Sequence, residues 1–139
     1  MSTVIGEEQL AIILQASLDH AKELLERAGG FLPFGTRALP SGEMEFLQAE
    51  GDHLPLETLY RGIAGMLADE ARRRKILATA LVANAQLPAG AADFETAVSV
   101  QVEAPHFCRV IIAPYRFSDA SVEYGTLLPE VAEPLVFVA

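Results

Sequence analysis

Apolar and small residues recur in steps of four and three through the N-terminal part of the chain. Leu10, Leu14, Ser17, Ala21, Leu24 and Ala28 form a continuous helical stripe, which Ile13, Leu18 and Leu25 widen. This spacing predicts a first helix over residues 7–28. Glu7 and Glu8 suit the positive end of its dipole. Gly29-Gly30 supplies the left-handed conformation that closes a helix. A hairpin is expected next, with a strand over 31–39, a turn at Pro40-Ser41-Gly42 and a return strand over 44–49. Pro33 cannot donate a ladder hydrogen bond, so the first of these strands should begin at a sheet edge or carry a bulge.

Residues 50–54 read as a polar loop, and Pro55 suits a first helical turn. A second helix is expected over 56–74, with Leu56, Leu59, Ile63, Met66 and Leu67 on its buried face and Tyr60 beside them. Gly62 and Gly65 weaken it by roughly 1 kcal/mol each relative to alanine, which suggests that another element approaches closely there. Arg72-Arg73-Arg74-Lys75 closes the helix at the negative end of its dipole. Three strands follow. Residues 76–87 are nearly all apolar, as in a strand covered on both faces. After a turn at Pro88-Ala89-Gly90, Phe94, Thr96, Val98, Val100 and Val102 alternate with more polar residues, a period of two. Ala104-Pro105-His106 breaks this strand, and 107–115 resumes with Val110, Ile111 and Ile112 at its heart. The chain reads as irregular after Pro114, and 135–138 as a short edge strand or a packed tail. The expected fold is α+β: one domain over residues 1–139, with two helices packed on a mostly antiparallel five-stranded sheet in the order α-β-β-α-β-β-β.

Composition agrees with a folded chain of this length. Half of the residues (51%) are hydrophobic, enough for a core without disulfide or metal staples. The single cysteine, Cys108, cannot form an internal disulfide, which suits a reducing compartment. The start lacks the basic residue and apolar run of a secretory signal, and no apolar run reaches the roughly 20 residues of a membrane helix, so a cytoplasmic, membrane-free protein is expected. The net charge is −9 and uneven: residues 1–70 hold 12 acids and 4 bases, residues 71–139 hold 7 acids and 6 bases. Such a chain repels phosphate backbones, which argues against nucleic acid as a partner and favours solubility.

Candidate chemistry is sparse. His20, His53 and His106 lie on different elements without metal-ligand spacing, so no metal or other cofactor is expected. Cys108 and His106, two apart, would share a strand face and could pair as thiol and imidazole, but a lone cysteine commonly packs as a small hydrophobe. No nucleophile elbow or phosphate-binding glycine loop occurs. Asp69 and Glu70 each have an arginine one turn on, Arg73 and Arg74, and read as a solvated helix face. The basic run 72–75 could hold an anion or an acidic partner, or simply complement the helix dipole. No catalytic residue is assigned.

Two stretches carry a resemblance. Phe31-Leu32-Pro33-Phe34-Gly35, and later Pro114-Tyr115-Arg116 with Val122-Glu123-Tyr124-Gly125, resemble an F-x-P-F-G segment and a P-Y-R … V-E-Y-G ending of a group of small bacterial proteins. The resemblance spans about residues 10–128 and implies a shared fold, with no activity to carry over. The element order is also similar to roadblock and profilin-like domains, which are binding and dimerisation modules; that is an analogy of fold only. Arg37, Tyr115, Arg116, Glu123 and Tyr124 lie in or near these segments and suit an interface, since tyrosine and arginine join contact area to directed hydrogen bonds. Their structural alternative is that the tyrosines cap the sheet edge and Arg116 pairs with Glu123. Three functions remain open. The first is a non-enzymatic interaction or dimerisation module with a protein partner or itself. The second is a small-molecule-binding or catalytic protein with Arg37, His106 and Cys108 at a pocket between sheet and helices. The third is an immunity or antitoxin-type protein that binds a basic partner.

Overall fold

The computed structural model describes residues 6–49, 53–87 and 94–138. Its elements are α1 (Glu7–Ala28), β1 (Phe34–Ala38), β2 (Met44–Gln48), α2 (Leu56–Arg72), β3 (Ala78–Gln86), β4 (Thr96–Ala104), β5 (Phe107–Ser118), β6 (Ser121–Tyr124) and β7 (Leu128–Val131). The α+β class and both helices are present as expected, but Leu56 and Met66, expected on the buried face of α2, are exposed. The strand count does not: there are seven strands where the sequence suggested five, and every pairing is antiparallel. The sheet runs β2-β1-β3-β4-β5-β6, with β7 also pairing β5. The turn expected at Pro88-Ala89-Gly90 lies outside the described residues. No helix among the described residues is long and apolar enough to cross a membrane.

The two helices lie on opposite faces of the sheet. Alternate residues of each strand point to opposite faces. Phe34, Ala80, Val82, Val98, Val100 and Tyr115 join α1 in one core. Leu81 joins Leu59, Ile63 and Leu67 of α2 in a second core. The first core is the larger because α1 crosses the middle of the sheet, while α2 covers only β1 and β3. The buried stripe of α1 is centred one position away from the expected one. Ile13, Ser17, Leu18, Ala21 and Leu25 are buried, Leu10, Leu14 and Leu24 are half-buried, and Ala28 is exposed. Gly29 closes α1 at φ 77°, donating its N–H to Leu25 O at 2.7 Å.

Several expectations need correction, each for a tertiary reason. Pro33 precedes β1 instead of interrupting it, and β1 is an inner strand between β2 and β3. Gly35 is a glycine because α2 lies against it. A Cβ there would stand 2.9 Å from Ile63 Cγ2 and 3.0 Å from Leu67 Cδ1. Conversely, no element approaches Gly62 or Gly65, which face open space. α2 stops at Arg72, two residues early, and Arg74 turns the chain at φ 58°. β5 runs straight through Pro114. A residue's N–H and C=O point the same way in an antiparallel strand, and Pro114 O accepts from Gly125 N at 2.7 Å. Its missing N–H therefore points away from β4, toward the end of β6, and the β4–β5 ladder stays unbroken. Residues 135–138 form no strand; they pack as a tail, with Val136 buried beneath α2.

Candidate interaction surface

Four of the five residues singled out from the sequence do come together, on the β5–β6 hairpin. Tyr115 pairs with Tyr124 and Arg116 with Glu123 across the ladder. Their side chains divide between the two faces. Tyr115 is buried and donates its O–H to Asn84 Oδ1 at 2.7 Å. Tyr124 donates to the backbone carbonyl of Leu18 in α1 at 2.7 Å, and its phenol pKa is raised by burial and then by Asp19. Tyr124 thus ties α1 to the sheet, while Tyr115 ties β5 to β3 from within the same core. Arg116 and Glu123 are exposed and form an ion pair at 3.5 Å, and the guanidinium lies 5.5 Å above the Phe94 ring. That ring covers Gly125, where a Cβ would meet it at 2.7 Å.

Arg37 is elsewhere, on the α2 face. It belongs to a row of polar residues that crosses five strands in register: Glu45, Arg37, Thr79, Glu103 and Cys108 stand opposite one another in turn. Arg37 donates from Nε to Glu45 at 2.9 Å and from Nη1 to Glu70 of α2 at 2.6 Å. Glu70 was expected to pair with Arg74; instead Asp69 takes Arg72 and Arg73, and Glu70 takes Arg37. Glu103 has no exposed surface. The tail curls around it, so that Leu135, Val136 and Phe137 donate backbone N–H groups at 3.0, 2.9 and 3.2 Å, and Gln101 adds its amide at 2.9 Å.

The expected thiol–imidazole pair does not assemble. His106 sits in the two-residue turn between β4 and β5 at φ 64°, off the strand, and borders a groove with Arg72, Pro134 and Phe137. Cys108 faces inward, where its sulfur accepts from Gln101 Nε2 at 3.6 Å. Burial, and then Glu103, push its thiol pKa up, which disfavours the nucleophilic thiolate. The same two causes, with Cys108, push Tyr60 up to about 12.

The feature missed in the sequence is the outer edge of β2. Among the described residues no element pairs with it. Leu39 N donates to Glu43 O and Ala49 N to Pro33 O, so residues 43, 45, 47 and 49 face β1. Met44, Phe46 and Gln48 therefore turn their N–H and C=O groups outward. Edge strands are commonly guarded by proline, lysine, a bulge or an inward charge. β2 has none of these, and its one charge, Glu45, is matched by Arg37. Apolar side chains flank the edge on both faces. On the α1 side Phe46, 44% exposed, stacks on His20 at 4.1 Å. Burial there lowers the His20 pKa. On the α2 side a groove of about 490 Å³ is lined by Leu47, Leu54, Leu59, Gly62, Ile63 and Met66. Leu54 and Met66 are 50% and 55% exposed. The signals were present as the alternation of Met44 and Phe46 and the bare glycines of α2, but neither shows which strand ends the sheet.

No family model, curated protein or solved structure matches this chain.

Proposed function

We propose that the protein is a non-enzymatic interaction module that binds protein through the β2 edge and the groove beside α2. The observation that carries this reading is an edge strand with which no further element among the described residues pairs, with apolar side chains on both faces. An edge of this kind offers main-chain hydrogen bonds for affinity and adjoining pockets for specificity. The residues proposed from the sequence take a supporting part: Tyr124 holds α1 in place, Tyr115 ties β5 to β3, and Arg37 neutralises Glu45 beside the edge. The raised Cys108 pKa weighs against the catalytic alternative. A specific observation keeps ligand binding as a second reading: the groove's volume of about 490 Å³ lies within the range of small-molecule sites.

The test is capture from a cell lysate by the wild-type protein, by Phe46→Lys and by Met66→Glu. Both side chains are exposed, so both variants should fold, as circular dichroism will check. A protein held by the wild type and lost by both variants supports the reading. Equal capture by all three overturns it.

A further inference from the structure

The geometry points to a second copy of this chain as the occupant of the β2 edge, in one register. This rests on the interaction reading above and names its partner. Antiparallel pairing of β2 with its own copy about a two-fold axis at Phe46 engages the whole strand. Met44, Phe46 and Gln48 all face outward. With the axis at Phe46, residue 46 meets its own copy, Met44 meets Gln48, and Glu45 stands opposite Leu47. Every outward N–H and C=O then finds a partner, which satisfies the groups an open edge leaves to solvent. The neighbouring register, centred on Glu45, would set two carboxylates face to face, and like charges directly opposite are unfavourable. A shift toward Leu47 leaves one end of the strand unpaired. Charge and overlap therefore select the same axis.

A two-fold axis perpendicular to the sheet keeps like faces together. The grooves beside the two α2 helices meet across the axis and enclose Leu47, Leu54 and Met66, while the two Phe46 rings meet on the α1 side. A strand-to-strand contact alone is small, and this joint burial supplies the apolar core that a stable interface requires. The two copies each carry −9, so their mutual repulsion is screened by salt. The dimer should tighten as salt rises, opposite to a complex with a basic partner.

Sedimentation of the purified wild type at about 100 μM, a concentration that reveals micromolar association, should give a dimer whose population grows with salt. Phe46→Lys, which sets two ammonium groups against each other at the axis, should weaken it at least about tenfold, as for a central interface residue. Phe117→Lys, equally exposed on β5, should leave it intact. In a Cys108→Ala background, a short bis-maleimide should join Met44→Cys to Gln48→Cys on differently tagged copies. Met44→Cys should not be joined to Met44→Cys. A wild type that stays monomeric, a dimer that survives Phe46→Lys, or linkage in another register overturns the inference. A monomer that still loses a captured protein on Phe46→Lys would refute the second copy as partner and leave the interaction reading standing.

Discussion

A carboxylate with no exposed surface, Glu103, holds the tail of the chain through backbone N–H groups alone. Three successive donors converge on it, an arrangement that needs an acceptor with several lone pairs and no particular side chains in the tail. Removing the acceptor leaves those donors buried without partners, which costs far more than the net worth of the bonds. Glu103→Ala should therefore lower stability by on the order of 3 kcal/mol. It should also free the amides of residues 135–137 to exchange. Urea denaturation measures the first and hydrogen exchange the second; unchanged protection of those amides would show that something else fixes the tail. From the sequence Glu103 was an ordinary polar position in an alternating strand. Its burial depends on a segment more than thirty residues away, which no local pattern encodes.

At the scale of elements, the glycines show how far pattern reasoning reaches. From the sequence, Gly62 and Gly65 looked like points of close approach. The close approach is at Gly35, where α2 crosses β1. Gly35→Ala must move Ile63 and Leu67 and should cost about 1–3 kcal/mol, the usual range for overpacking. Gly62→Ala meets nothing within 4 Å and should stabilise α2 by roughly 0.5–1 kcal/mol. Thermal melts of the two variants should move in opposite directions, and a shift of the same sign would contradict this packing. The bounds of helix α1 were legible to the residue, since its periodicity and its glycine stop are local, while the centre of its buried stripe was set by the sheet it meets. The strands β6 and β7 were not, because they are only four residues long and owe their extended form to the two halves of β5 they pair with. In the two stretches singled out from the sequence, Phe34-Gly35, Pro114-Tyr115 and Tyr124-Gly125 carry packing: a buried ring, a helix contact, a strand end, two hydroxyl anchors and a ring-covered glycine.

For the whole molecule, buried ionisable groups set a pH window. Burial raises the pKa values of Cys108, Tyr60 and Tyr124 above their ordinary 9.0, 10.0 and 10.0. The unfolded chain therefore loses these protons first. Their contribution to stability is complete below about pH 9 and declines as pH rises through the unfolded values toward the Tyr60 value of about 12. On the acid side burial lowers the His20 pKa, so the unfolded chain gains that proton first, and stability falls as pH drops below 6.5. Chemical denaturation across pH should show a plateau between these limits. His20→Phe should flatten the acid shoulder near pH 6.5, and a shoulder that persists would assign it to another group.

The sequence by itself determined the α+β class, both helices and the early hairpin, because each depends on local periodicity and turn residues. Only the tertiary structure decided that the helices lie on opposite faces, that Arg37 parts from the tyrosines and that β2 ends the sheet. Those are properties of strand order and of which faces meet. Strand order follows from the packing of the whole chain, and no single segment carries it.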